Sequence, residues 1–232
     1  MAKSVCIDSK VASRSGLIVL LRHGQTAWSL SGQHTGRTDI PLTVEGERQS
    51  VAAGKRLRTV FADRTPEYVF SSPLKRARQT ALFAGLHTTQ LLGDLMEWDY
   101  GPAEGRTRAD IRNANGKEWN LWQQGTEGIN RGLLGEWETT LPSGERVIVR
   151  NGEGETLRQV ARRAQGVVDA VEPLVADGQM VVLVAHAHIL RILTTCWLGL
   201  DPCAARLFRM DTAHFSTLSQ YKGDNVIQVW NQ

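Results

Sequence analysis

The sequence predicts an α/β protein, a three-layer α/β/α sandwich around a mostly parallel sheet. Three observations point to it. Segments of strand length recur at residues 16–21, 67–70 and 180–185, the first and last of them continuous apolar runs, and each is followed by a segment with helical signals. Each run ends at a polar turn carrying Arg22-His23, Ser71-Ser72-Pro73 or His186, far short of the ~18 apolar residues that a membrane span requires.

The elements follow in order. Gly16–Leu21 is apolar at every position after the glycine, as a strand buried on both faces requires, and it runs into Arg22-His23-Gly24. Thr43 is positioned to cap a helix whose first turn carries Glu45 and Glu47 and whose apolar face is Val44, Val51, Leu57 and Val60. Glu67–Phe70 is a short strand, after which Pro73 opens a helix running through Phe83. Residues 107–122 and 155–176 read as helices, the second capped by Thr156 and ending near Asp177-Gly178. Met180–Ala185 is a buried strand meeting His186, and a helix from His188 to Leu198 follows. Phe215–Trp230 reads as two strands joined around Lys222-Gly223-Asp224. Residues 125–154 break this rhythm: glycine-rich, with Trp137 and Pro142, they end in an alternating strand pattern at 145–150. The segment is too long for an ordinary connection, so a lid over a site or a flexible excursion is expected.

Composition bounds the function. With 232 residues, 41% hydrophobic and 22% charged, residues 16–232 are expected to form one globular domain behind a flexible leader at 1–15. The leader lacks the apolar stretch of a secretory signal, and the three cysteines, Cys6, Cys196 and Cys203, form no CxxC pair. A cytoplasmic protein is therefore expected. A net charge of +3 favours anionic ligands mildly and is far from the basic stripe of a nucleic-acid binder, so neither nucleic acid nor membrane is an expected partner.

Ionisable groups cluster at strand ends: Arg22-His23, then Arg76 and Arg78, then His186. A parallel sheet brings such ends together, and ligands of open α/β sheets bind there. A neutral imidazole is a competent nucleophile toward phosphorus, a second imidazole donates to phosphoryl oxygens, and guanidinium forks stabilise the transferring group. Such a pocket requires neither magnesium nor a Walker loop, and GxxxxGK[ST] does not occur; no metal and no cofactor are expected. Glu97, flanked by apolar side chains, is the candidate proton donor, with its pKa expected to rise toward neutrality. His34 and His188, taken singly, read as structural histidines.

Several strings carry a family resemblance: Leu21-Arg22-His23-Gly24-Gln25-Thr26-Ala27-Trp28; Thr35-Gly36 with Thr38-Asp39-Ile40-Pro41-Leu42-Thr43; Ser71-Ser72-Pro73-Leu74-Lys75-Arg76-Ala77-Arg78-Gln79-Thr80-Ala81; Glu97-Trp98-Asp99-Tyr100-Gly101; and Val184-Ala185-His186. In this order, from Leu17 to about Arg191, the chain resembles the histidine phosphatase superfamily in its phosphoglycerate mutase-like branch. The resemblance implies that His23 is phosphorylated, that Arg22, Arg76 and His186 hold the phosphate, and that Glu97 acts as acid and then base. Thr35 and Gly36 would line the substrate side, assisted by Gln25 and Tyr100. Residues 28–36 and 185–188 are similar to fungal sedoheptulose bisphosphatase and mycobacterial acid phosphatases. Ser29 stands where mutases have asparagine, and Gln123-Gln124 where they carry two arginines. The resemblance therefore implies a metal-independent phosphatase acting on a small phosphorylated metabolite, a sugar phosphate or sugar bisphosphate. A phosphoglycerate mutase and a phospho-ligand binding module with weak turnover are the alternatives, and homo-oligomerisation stays open. Residues 125–154 exceed the relatives' shorter connection, and their Arg131, Arg146 and Arg150 are candidates for contacting a second phosphate.

Overall fold

The computed structural model describes residues 16–232; the leader expected at 1–15, with Cys6, lies outside the described residues. In chain order the elements are β1 (Leu17–Arg22), α1 (Ala27–Ser31), α2 (Val44–Phe61), β2 (Tyr68–Ser71), α3 (Lys75–Phe83), β3 (Gln90–Leu91), α4 (Arg108–Asn115) and α5 (Leu121–Gln124). They continue as β4 (Gly135–Thr140), β5 (Arg146–Asn151), α6 (Leu157–Ala176), β6 (Met180–Ala185), α7 (Ala187–Trp197), β7 (Phe215–Tyr221) and β8 (Asp224–Val229). Among the described residues one six-stranded sheet has the order β3-β2-β6-β1-β7-β8. The pairs from β3 through β1 are parallel, and β7 and β8 join antiparallel, as the mostly parallel sheet predicts.

The unbroken apolar character of β1 and β6 has a direct cause. Successive side chains of a strand point to opposite faces, and both faces are covered. Ile18, Leu20, Val181 and Leu183 pack in the core shared with α6 and α7, whereas Val19, Leu21, Val182 and Val184 pack in the core shared with α2 and α3. On α6 the residues Val160, Ala164, Val167, Val168, Val171 and Val175 recur at helical spacing and are all buried. Thr156 caps that helix and Thr43 caps α2, both through their side chains, at the positions the sequence marks.

Register places the site. Arg22 pairs with Ala185 and Ser71 with Val184, so β1, β2 and β6 end level. The ladder continues one step further, with His23 N–H donating to Ala185 O and Ser72 N–H to Val184 O, both at 2.9 Å. His23, Ser72 and His186 thus leave the sheet along one edge.

Two expectations change. The helix expected over 107–122 is two short helices, because Gly116 adopts φ 67° and turns the chain after Asn115. Residues 125–154 hold the β4–β5 hairpin, whose Leu141, Val147 and Val149 cluster with Trp28 and Ile40 and with the partly buried Trp137. It is a packed buttress behind α1. Among the described residues no helix is long and apolar enough to cross a membrane.

Candidate active site

His23 follows β1 and is 4% exposed. Its Nδ1 lies 2.7 Å from Gly24 O; a carbonyl only accepts, so Nδ1 carries the proton and Nε2 the lone pair. Gly24 is required by close approach, since a Cβ there would sit 2.4 Å from Gly46 O on α2. Burial first, then the charges of Arg76 and Arg22, push the His23 pKa well below its ordinary value. The imidazole is therefore neutral at physiological pH, the nucleophilic form.

The His186 ring stands 5.1 Å from that of His23. Arg76 Nε donates to His186 Nδ1 at 3.1 Å, so His186 Nε2 carries the proton and donates to Ser72 Oγ at 2.8 Å. Both ring nitrogens are engaged by protein. The rest of the Arg76 guanidinium, 0% exposed, donates to the carbonyls of Thr38, Thr35 and Gly36. The opposite edge of that loop is held by the buried Glu104 carboxylate, which accepts from the Gly36 and Thr38 amides at 2.9–3.0 Å. A cation gathers the loop's carbonyls and an anion its amides. Burial raises the Glu104 pKa, opposed by hydrogen bonds from Thr38 and Gly36.

Glu97 is buried at the N-terminus of α7. Its Oε1 accepts from the amides of Trp98 at 2.9 Å and Ile189 at 3.0 Å, and its Oε2 from the amide of His188 at 3.1 Å. The expectation of a raised pKa is corrected here. Burial does act upward, but the hydrogen bonding of His188, side chain and backbone amide, outweighs it and holds the carboxyl well below the usual range. Backbone amides at a helix start favour the anion. The 94–99 segment is fixed from outside by Arg163, which donates to the carbonyls of Asp94, Met96 and Glu97 and to the Glu155 carboxylate.

A cavity of about 220 Å³ opens over these groups. Arg22, His23, Thr35, Glu97 and Tyr100 line it, as do Trp28, Ser29, Gln33, His34 and His188. Arg76 and His186 stand one layer behind His23. Gln25 is off the wall, its Oε1 accepting from Thr43 Oγ1 at 2.9 Å. Gly36 serves close packing, since a Cβ there would meet Glu104 Oε2 and Trp98 O at 2.6 Å. Arg78 is exposed on the far side of α3. Arg131, Arg146 and Arg150 do not reach the cavity: each is paired with a glutamate, Glu153, Glu138 and Glu136 respectively, at exposed positions. A larger groove of about 610 Å³ along α3 and residues 86–91 is lined by Arg78 but by none of the other candidate residues.

Sequence reasoning missed Ser72, Glu104, Glu155 and Arg163, and read His34 and His188 as structural. The two histidines had a signal, since they flank Thr35-Gly36 and His186 on the same turns. Tyr100 Oη lies 2.6 Å from His188 Nδ1, joining an expected residue to a missed one. Glu104 and Arg163 act on backbone groups distant in sequence and carried no local signal.

The sequence profile described as the histidine phosphatase superfamily (branch 1) matches residues 18–146 and 134–232. The chain is 34% identical to an acid phosphatase of Mycobacterium tuberculosis, over 86% of this chain and 84% of that one. It is 31% identical to sedoheptulose 1,7-bisphosphatase of Saccharomyces cerevisiae, over 78% and 67%, and 32% identical to a 2,3-bisphosphoglycerate-dependent phosphoglycerate mutase of Bifidobacterium longum, over 75% and 74%. A solved Mycobacterium tuberculosis structure superposes with a TM-score of 0.75 at 31% identity, covering 94% of this chain and 98% of that one.

Proposed function

The chain belongs to the histidine phosphatase superfamily, and from that premise we propose that it is a phosphomonoesterase that hydrolyses a small phosphorylated metabolite through a phosphohistidine on His23. The observation that carries this reading is the neutral His23, with its Nδ1 proton fixed on Gly24 O, lining a cavity beside two guanidiniums that no carboxylate pairs. Among the described residues neither Arg22 nor Arg76 forms an ion pair, and Arg22 Nε, buried, has no hydrogen-bond partner. Their charge is left for an anionic ligand.

In the proposed cycle the His23 Nε2 lone pair attacks phosphorus in line with the departing ester oxygen. Arg22 stabilises the phosphoryl oxygens from the wall, while Arg76 and His186 supply field and orientation from behind. Glu97 is ionised in the free protein; the negative charge of a bound phosphate raises its proton affinity, so it holds a proton for the leaving alkoxide when substrate is present. As a carboxylate it then takes a proton from the water that attacks phosphohistidine, releasing inorganic phosphate and regenerating neutral His23.

The test is phosphate release from a panel of phosphomonoesters with chelator present, for wild type and His23→Ala. The expected result is chelator-resistant turnover that falls by about 10³-fold or more in the variant. Loss of activity with chelator, or wild-type turnover by His23→Ala, contradicts the reading. Primer-dependent isomerisation of phosphoglycerate without phosphate release assigns the mutase alternative instead.

A further inference from the structure

The cavity beside His23 has two walls of different character. One bears Arg22 and Glu97. The other is formed by α1, with Trp28 and Ser29, by the turn after it, with Gln33 and His34, and by Tyr100. Among the described residues that line the cavity, Arg22 is the sole arginine or lysine, so the second wall carries no permanent cation.

The polar groups of that second wall are mostly committed. Ser29 Oγ exchanges hydrogen bonds with Thr26, and Gln33 donates to Gly105 O at 2.8 Å and accepts from Ser31 Oγ. His34 is the exception. Its Nδ1 lies 2.8 Å from Arg106 O, which only accepts, so Nδ1 carries the proton and Nε2 presents a lone pair. The ring is held between Tyr100 and Trp119, at centroid distances of 5.1 and 5.4 Å and steep interplanar angles, which resists rotation. Burial, opposed by the hydrogen bond to Arg106, lowers its pKa to about 4, so the ring is neutral at physiological pH. Among the described residues nothing hydrogen-bonds to Nε2.

The β4–β5 hairpin fixes this wall. Trp28 packs in the cluster that holds Leu141, Val147 and Val149, and the Arg106 guanidinium stacks 4.1 Å over the Trp137 ring while its carbonyl accepts from His34. The segment at 125–154 thus acts on the site through Trp28 and the 105–106 corner.

We propose that this second wall sets substrate class: the site takes the monophosphate ester of a short, hydroxylated and otherwise uncharged alcohol, one hydroxyl donating to His34 Nε2, and it discriminates against bisphosphates and phosphorylated carboxylates. The proposal rests on the phosphatase reading above. A substrate hydroxyl gains a hydrogen bond at Nε2, whereas a carboxylate or second phosphate places lone pairs against a lone pair where no cation compensates its desolvation. The cavity, about 220 Å³, lies below the roughly 300–1,000 Å³ of sites for drug-sized ligands, which favours a short ester.

The experiment compares kcat/KM at neutral pH within two pairs of substrates. Glycerol 3-phosphate and 3-phosphoglycerate differ by a carboxylate in place of a carbinol; fructose 6-phosphate and fructose 1,6-bisphosphate differ by a second phosphate. The uncharged-tail partner is expected to lead each pair by at least about tenfold in wild type, and that ratio to fall by at least about tenfold in His34→Lys, where an ammonium faces the anion. Gln33→Lys places a cation on the same wall and covers the case in which His34→Lys does not fold. Ratios are taken within one protein, so a general loss of activity cancels. Equal rates or a preference for the charged partner in wild type, or ratios unmoved in the folded lysine variants, overturn the proposal. Absence of His23-dependent phosphate release from every compound overturns the phosphatase reading as well, whereas preference for the charged partners overturns this inference alone.

Discussion

Arginines occupy two regions of this molecule under opposite conditions. On the β4–β5 hairpin and its base, Arg131, Arg146 and Arg150 are more than half exposed and each sits against a glutamate. At the sheet edge, Arg76 is withdrawn from water and Arg22 is half-buried against the cavity, and they meet carbonyls and imidazole in place of carboxylates. Burial lowers the pKa of both of these arginines, yet a guanidinium stays charged in proteins. The difference teaches that a cation's availability to a ligand depends on what neutralises it. The hairpin has more arginines and each charge is met by a glutamate; the sheet edge has fewer and neither charge is met by a carboxylate.

The comparison breaks most sharply at Arg76. Arg76→Met leaves three loop carbonyls and His186 Nδ1 without their donor, and removes the charge behind His23. We expect destabilisation of about 3 kcal/mol or more, from several buried acceptors losing their partner, together with at least about 100-fold lower kcat. Urea unfolding and steady-state phosphate release measure the two. A protein that keeps both within about twofold of wild type would show that the guanidinium is ornamental to the site.

Glu104→Gln sharpens the same contrast from the anionic side. An amide offers one oxygen where the carboxylate offers two, so the Gly36 and Thr38 amides lose charge-assisted partners; the expected cost is about 1–3 kcal/mol in the same unfolding assay. Unchanged stability contradicts the bracketed-loop account.

Acid distinguishes the regions next. His23, His34 and His186 are held neutral by burial, with folded pKa values below the unfolded value of about 6.5. Above about pH 6.5 neither state is protonated at these rings, so they confer no pH dependence. As pH falls below that value the unfolded chain binds protons first, and stability declines down to the folded values, about pH 4 for His34. Glu97, with a depressed pKa, contributes stability above its unfolded value of about 4.3 and loses it below. In thermal unfolding His34→Gln should flatten the decline between pH 6.5 and about 4 by on the order of 3 kcal/mol. An unchanged slope shows that His34 is not held neutral.

The smallest effect belongs to the hairpin. Arg146→Ala and Arg150→Ala should each change stability by about 0.5 kcal/mol or less and leave kcat/KM within about twofold, since exposed pairs contribute little. A larger loss of activity would return those arginines to the substrate.

The sheet was legible because β1 and β6 are apolar on both faces and end in Arg22-His23 and His186, and because Thr43 and Thr156 mark helix starts locally. Arg76 was legible as a site residue, its place behind His23 was not, because that depends on carbonyls contributed by residues 35–38. The state of Glu97 was misread for a related reason. Its apolar neighbours in sequence suggested desolvation, while the amides of His188 and Ile189, some ninety residues away, decide the charge. His34 was passed over because a single histidine has no pattern; its tautomer is set by Arg106 O across a turn.

The central claim is covalent. Rapid acid-free quenching of wild type with a phosphomonoester, followed by peptide mapping, should place an acid-labile, base-stable phosphoryl group on His23, and His23→Ala should trap none. A phosphoryl group on another residue, or full turnover by His23→Ala with no trapped intermediate, would contradict the account.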